Sequence, residues 1–259
     1  MGNQVTQNQF SLEGRVVLIT GSSQGIGRAL ADACADAGAH VVINARTASA
    51  VDAAVGELTD RGAQASGHVA DVTDEGQVDE MVATIESSVG PIAGLINNAG
   101  IQRRAPFLDF ELQDYRDVME VNLVAPFIVS KAVANRMAER SAGRIVNIGS
   151  VQSQLGRPTI VPYTASKGGV ALLTRGMCAD LGPLGIQVNS IAPGYFATEL
   201  TADLVNDAEF SAWVSSRTPA GRWGDVSELG GAAVFLLSDA ASFINGQTLF
   251  VDGGMTAVV

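Results

Sequence analysis

The sequence predicts a doubly wound α/β fold, a seven-stranded parallel sheet with helices on both faces, in one domain spanning residues 1–259. Three observations predict it. Short, β-branched apolar segments alternate with helix-length segments along the chain. Most of the strand segments are apolar at consecutive positions, as strands covered by helices on both sides must be. The first strand runs through a glycine-rich turn straight into a helix, the opening of a mononucleotide-binding βαβ unit.

The strands are expected at Arg15–Thr20, His40–Ala45, Ala65–Ala70, Gly94–Asn97, Arg144–Gly149, Ile186–Ile191 and Thr248–Val251. The helices between them are Gly25–Ala37, Ala48–Arg61, Asp74–Val89, Leu112–Arg140, Pro162–Leu181 and Ser227–Ser238. Asp74 and Ser227 read as N-caps, and Gly38 and Gly62 as C-terminal stops. Right-handed crossovers make all the strands parallel. In such sheets ligands bind beyond the carboxyl ends of the strands, so the residues just after each strand are the ones to weigh for function.

Composition narrows the function. A chain of 259 residues, 47% apolar and 17% charged, buries a core that needs no staples. A net charge of −11 argues against a general nucleic-acid binder, which needs a basic face. Cys34 and Cys178 lie singly and read as free thiols. No run of about 18 apolar residues offers a membrane span. The stretch Met1–Ser11 is polar and lacks a signal-peptide core. Gly2 and Thr6 have the spacing of a myristoylation pattern, but one acyl chain anchors only weakly. The chain reads as cytoplasmic, with neither a membrane nor a nucleic-acid partner.

The glycine turn is Thr20-Gly21-Ser22-Ser23-Gln24-Gly25-Ile26-Gly27. Glycines let the backbone approach a pyrophosphate, and the helix that follows aims its free N–H groups at it. Gly21, Ser23, Gln24, Gly25, Ile26 and Gly27 are therefore candidate cofactor contacts. The same residues spell G-x-S-x-G around Ser23, the nucleophile elbow of a serine hydrolase. That rival needs a histidine late in the chain, and the histidines are His40 and His68. The same scarcity disfavours a histidine acid–base and a zinc site.

Tyr163 and Lys167 are spaced i, i+4, on one face of a helix, in a chain with three tyrosines and with lysine only at 131 and 167. A tyrosine near its ordinary pKa is a poor base at neutral pH. An adjacent ammonium is expected to lower it into a useful range. Ser150 ends the fifth strand, where its hydroxyl can polarise a substrate carbonyl.

These residues, with Asp71-Val72, Asn97-Asn98-Ala99-Gly100, Asn122 and Pro193-Gly194, resemble the short-chain dehydrogenase/reductase family over essentially the whole chain. The resemblance implies a Rossmann fold and an NAD(P)-dependent oxidoreductase. Tyr163 would be the acid–base and Ser150 the carbonyl-polarising group. Lys167 would bind the nicotinamide ribose and tune Tyr163, and Asn122 would hold a proton-relay water. Asp71 and Val72 would frame the adenine, Asn98, Ala99 and Gly100 would line the cofactor, and Pro193, Gly194 and Thr198 would close over the nicotinamide. It also implies a homotetramer built through the two long helices and the C-terminal segment.

Within that family, the stretches 97–104, 152–157, 175–178, 192–196 and 217–225 are similar to a branch acting on sugar acids. A reductase of another ketone, a 3-oxoacyl thioester or a neutral sugar, is the alternative. A relative that only binds the cofactor is disfavoured by the intact tetrad. At the end of the second strand, where an acidic residue would take the ribose 2′-OH of NAD, the chain has Asn44-Ala45-Arg46. Arg46 can pair with a 2′-phosphate, so NADP(H) is the expected preference, with NAD(H) also usable; Gln24, where a basic residue would strengthen that preference, makes it modest. A sugar-acid carboxylate entering the cleft needs a cation. Arg103, Arg104 and Arg157 are near the expected pocket, and Arg104 is the favoured reader. The segment 199–217, with Phe210 and Trp213, lies where a lid over the substrate belongs.

Overall fold

The computed structural model describes residues 9–198 and 201–258. The Gly2/Thr6 pattern and the start of the expected lid at residues 199–200 lie outside the described residues. The first half of the chain runs β1 (Val16–Ile19), α1 (Gly25–Asp36), β2 (His40–Ala45), α2 (Ala48–Asp60), β3 (Ala65–Val69), α3 (Glu75–Ser88) and β4 (Ile92–Asn97). The second half runs α4 (Leu112–Met119), α5 (Ala125–Arg140), β5 (Gly143–Ile148), α6 (Val161–Leu181) and β6 (Ile186–Pro193). After it come β7 (Phe196–Ala197), α7 (Ala202–Asn206), α8 (Ala208–Arg217), β8 (Gly224–Asp225), α9 (Gly230–Leu237) and β9 (Thr248–Val251).

Seven strands form one sheet in the order β3-β2-β1-β4-β5-β6-β9, and every pairing in it is parallel. The winding reverses at β1, whose neighbours are β2 and β4. The loops leaving β1 and β4 diverge there and open a crevice. Strand residues alternate between two cores, as the period of two requires. Val17, Ile19, Val41 and Ile43 pack on α1, α2 and α9 through Leu30, Leu58 and Leu236. Val16, Leu18 and Val42 pack on α3 and α5 through Met81, Ile85 and Met137.

Most element boundaries fall within two residues of the sequence expectation, and two features differ more. The helix expected at 112–140 is present but runs through a π turn at Glu120–Val124, which divides it into α4 and α5. Ser227 is not the cap of its helix. Asp225 caps a 3₁₀ turn at Val226–Leu229 that leads into α9, accepting the Ser227 N–H in a capping box with Glu228. Asp74 does cap α3, accepting the Gln77 N–H, and Gly38 and Gly62 do adopt positive φ. The pair β7–β8 had no pattern to reveal it, being two residues per strand.

A polar ladder crosses the apolar interior at the site end of the sheet. Asn97 on β4 donates to Ser130 of α5 and to Asn147 of β5, both at 2.8 Å. Asn147 donates on to Thr174 of α6 at 2.9 Å. All four residues are buried, so each bond replaces water that cannot enter. Asn147→Ala leaves one Asn97 N–H without an acceptor. It is expected to cost about 1–3 kcal/mol, read as a fall in thermal midpoint of roughly 2–4 °C per kcal/mol. An unchanged midpoint would show that the ladder is dispensable.

Candidate active site

At the glycine turn, Gly21 and Gly25 have φ of +60° and +57°, which glycine alone adopts freely. A Cβ on Gly21 would lie 2.8 Å from the Ala99 Cα, and one on Gly27 would overlap the Gly21 carbonyl and the Asn98 amide. The turn is thus packed tightly from behind while Gly25 faces open space. Gln24, the N-cap of α1, makes no side-chain cap, so N–H groups at the helix start remain available to an anion. These features fit a dinucleotide pyrophosphate. Ser23 is partly exposed on this turn, whereas the His40 ring is hydrogen-bonded to Ser66 and His68 lies on edge strand β3.

The turn is locked to the loop after β4. The Thr20 hydroxyl accepts the N–H groups of Asn98 and Ala99 at 3.0 and 3.1 Å. The Asn98 amide donates to the carbonyls of Thr20 and Gly21. Asn122, buried in the π turn, brackets Ile101: its Oδ1 accepts the Ile101 N–H at 2.8 Å and its Nδ2 donates to the Ile101 carbonyl at 2.9 Å. Nδ2 also reaches the Ser166 hydroxyl at 3.3 Å. Both Asn122 amide N–H groups are therefore engaged with protein.

Ser150 leaves the end of β5 as the cap of a 3₁₀ turn, its hydroxyl accepting the Gln152 N–H at 3.1 Å. The Tyr163 phenol, in the first turns of α6, is close enough to Ser150 for that side chain to act on its pKa. One turn on, Lys167 donates to the Ile148 carbonyl at 2.7 Å and lies 5.5 Å from the centre of the Tyr163 ring. Ser150, Tyr163 and Lys167 are thus brought together beside the crevice. One expectation is corrected. The Tyr163 phenol is held above its ordinary pKa, because burial outweighs the lowering influence of the neighbouring Ser150. The Lys167 ammonium is directed at a backbone carbonyl rather than at the phenol oxygen.

The remaining expected residues lie around this centre. Arg46 is exposed past the end of β2, with no acid paired to it among the described residues. Asp71 holds Thr73 through one carboxylate oxygen, and Val72 beside it is buried. Gly194, after Pro193, packs so closely on Asp252 that a Cβ would lie 2.8 Å from the Asp252 Cα. Thr198 is tied to Thr201 through both its N–H and its hydroxyl. Gly100 lies against Asn122.

The three arginines separate. Arg103 pairs with Asp114 at 3.4 Å. Arg104 is exposed, and Arg157 stacks its guanidinium 5.2 Å over the Phe210 ring. The segment after residue 200 forms α7 and α8, with Asp207 capping α8. Phe210, Trp213 and Trp223 surround Tyr195, each 5.7 Å from it centre to centre. The role of Thr20 and the gathering of aromatics on Tyr195 were not visible in the sequence, since both depend on partners distant along the chain. Thr159 was also missed: it adopts φ of +70°, uncommon for a β-branched residue.

A family model described as enoyl-(acyl carrier protein) reductase matches residues 21–256. The chain is 54% identical over 250 residues to the 5-keto-D-gluconate 5-reductase of Escherichia coli (strain K12), covering 96% of this chain and 98% of that protein. It is 56% identical over 247 residues to the gluconate 5-dehydrogenase of Gluconobacter oxydans (strain 621H), covering 95% and 96%. A crystal structure of a gluconate 5-dehydrogenase from Burkholderia cenocepacia J2315, in complex with NADP and tartrate, superposes with a TM-score of 0.96 at 53% identity, covering 98% of this chain and all of that one.

Burial lowers the Lys167 ammonium to about 8. Between about pH 8 and the ordinary lysine range, the unfolded chain holds a proton that the folded one has lost. The burial penalty is therefore full below pH 8 and is relieved as pH rises through that window. In urea unfolding, the stability of the parent is expected to rise relative to Lys167→Met as pH increases across it. A difference independent of pH would mean that Lys167 titrates as it does unfolded.

Proposed function

The chain belongs to the short-chain dehydrogenase/reductase family, and from that premise we propose that it interconverts D-gluconate and 5-dehydro-D-gluconate with NADP(H). The observation that carries the chemistry is the placing of the Tyr163 phenol beside Ser150, one helical turn from Lys167, whose ammonium lies 5.5 Å from the centre of the Tyr163 ring. When bound, NADP(H) supplies or accepts the hydride. Tyr163 gives a proton to the alkoxide in reduction and takes one from the alcohol in oxidation. Ser150 donates to the substrate oxygen and holds it in line with the phenol. Lys167 provides a buried positive charge that favours phenolate character as the proton leaves, and Asn122 holds the loop carrying Ala99 and Gly100 in place. With the Asn122 amide on Ile101 and Ser166, a relay water there would be held by its backbone carbonyl.

The glycine turn, Asn98, Ala99 and Gly100 would hold the cofactor, with Asp71 and Val72 at the adenine and Pro193, Gly194 and Thr198 at the nicotinamide. Arg46 would take the 2′-phosphate. The sugar acid as substrate, in preference to an acyl thioester or a neutral ketone, is supported by the high identity to the two gluconate enzymes and by arginines without acid partners beside the crevice. The assembly is a homotetramer in this reading, supported by Leu112, Phe127 and Leu172, which are exposed on α4, α5 and α6. A cytoplasmic setting is supported by the free thiols Cys34 and Cys178. Among the described residues no helix is long and apolar enough to cross a membrane.

Two variants test this reading. Tyr163→Phe is expected to lower kcat by about 10²–10⁴-fold while NADPH titration still shows binding; near-normal turnover would sink the mechanism. Arg46→Asp is expected to shift the NADPH/NADH ratio of kcat/KM toward NADH by roughly tenfold to a hundredfold, the value of a charge-assisted contact. An unchanged ratio would show that Arg46 does not read the phosphate.

A further inference from the structure

Two arginines stand together in this chain without an acid. Arg104 is in the loop after β4, and Arg157 is half-buried in the loop between β5 and α6. The loops are stapled where the Ala105 N–H donates to the Thr159 carbonyl at 3.1 Å. Thr159 holds its positive φ at this staple, a conformation that persists only where the surroundings impose it. The chain has 27 acidic residues against 16 basic ones, and among the described residues eight other arginines are paired with carboxylates. Neighbouring arginines left unpaired in such a chain repel each other unless an anion joins them.

Arg157 is the more constrained of the two. Its guanidinium is fixed over Phe210, and its Nε is buried with no hydrogen-bond partner among the described residues. Burial of an unmatched charged donor is costly. On the same loop the Gln152 Oε1 is also buried and unmatched. Both guanidiniums lie within electrostatic reach of the Tyr195 hydroxyl, and Tyr195 in turn is within reach of Tyr163. Tyr195 thus links the cation pair to Tyr163.

We infer that Arg157 and Arg104 form a two-cation subsite for the substrate carboxylate, with Arg157 the inner, specificity-determining member. The inference rests on the sugar-acid reading above. In a hexonate that reacts at C5, the carboxylate is four carbons from the reacting centre, so one end of the molecule sits at Ser150 and Tyr163 and the other at the arginines. Gln152 Oε1 would accept from a hydroxyl between them.

The chain's two tryptophans, Trp213 and Trp223, pack on Tyr195, so intrinsic fluorescence reports on this wall. The test titrates the parent, Arg157→Met, Arg157→Lys and Arg104→Met with D-gluconate, with tartrate as an unreactive anion and with sorbitol as a neutral polyol, and measures gluconate turnover in parallel. Arg157→Met is expected to raise the gluconate KM and the Kd for both anions by about tenfold to a hundredfold, with sorbitol unchanged. Arg157→Lys should recover part of the loss, since a point charge replaces a stacked fork. The exposed Arg104→Met should lose less. Equal losses for anions and sorbitol, or no loss, overturn the subsite. A parent that binds tartrate through Arg157 yet does not oxidise gluconate would keep the subsite and remove the proposed substrate. A parent that oxidises gluconate, with Arg157 variants binding both anions normally, would do the reverse.

Discussion

The Thr20 hydroxyl, accepting two backbone N–H groups from the loop after β4, holds the two sides of the crevice in register. A parallel sheet covered on both faces sends all its functional loops out of one edge, and at the switch point two of them diverge. Without a bridge there, the glycine turn and the β4 loop would be separate flexible connections. With it, the β4 loop becomes the frame of the site. Asn98 ties it to the glycine turn, Asn122 ties it to the π turn, and Ala105 ties it to the loop carrying Arg157. Each tie uses backbone groups that would otherwise be left without partners.

The electrostatics follow an equally simple division. The chain is strongly acidic, with a net charge of −11, yet Lys167 is buried against a carbonyl and not a carboxylate. A carboxylate beside it would hold the ammonium more firmly, but would also neutralise the charge that a phenolate needs. A carbonyl orients the ammonium and leaves its charge uncompensated. Burial then draws its pKa down and raises that of Tyr163, so both groups are poised away from their solution values, as proton-transfer groups often are. The exposed cations Arg46 and Arg104 lie nearby, at loops that leave the same sheet edge. An acidic protein that takes anionic ligands needs such local positive regions, because its overall field repels them.

Much of this was legible in the sequence, and the reasons are local. The strands declared themselves because residues such as Val16–Ile19 are buried on both faces, and consecutive apolar positions admit few other readings. Gly21, Gly25 and Gly27 were legible because backbone strain and close packing leave only glycine. Tyr163 and Lys167 were legible because one helical turn separates them whatever the rest of the fold does. The direction of the Tyr163 shift was not legible. It depends on how deeply α6 packs against β5 and on where the Lys167 ammonium finds its acceptor, and both are tertiary facts. Arg104 stood out in sequence because it follows the Asn98–Gly100 stretch. Arg157 was placed near the pocket but not favoured, because nothing in its neighbours reveals that Phe210, more than fifty positions on, lies beneath it.

The features the sequence concealed most fully are two irregularities of the backbone, the π turn at Glu120–Val124 and the positive φ of Thr159. Neither has a residue signature. Glu120–Val124 reads as ordinary helix, and a β-branched residue is the last that local preference would place at positive φ. Both therefore persist against local preference, and each must be held by something distant in sequence. In both cases that something is the β4 loop: Ile101 holds Asn122 in the π turn, and Ala105 holds the carbonyl of Thr159. Two departures from regular geometry are tied to one segment of five residues. A change that loosens that segment acts on Asn122 and on the loop carrying Arg157 together, although the two are more than thirty positions apart in the chain.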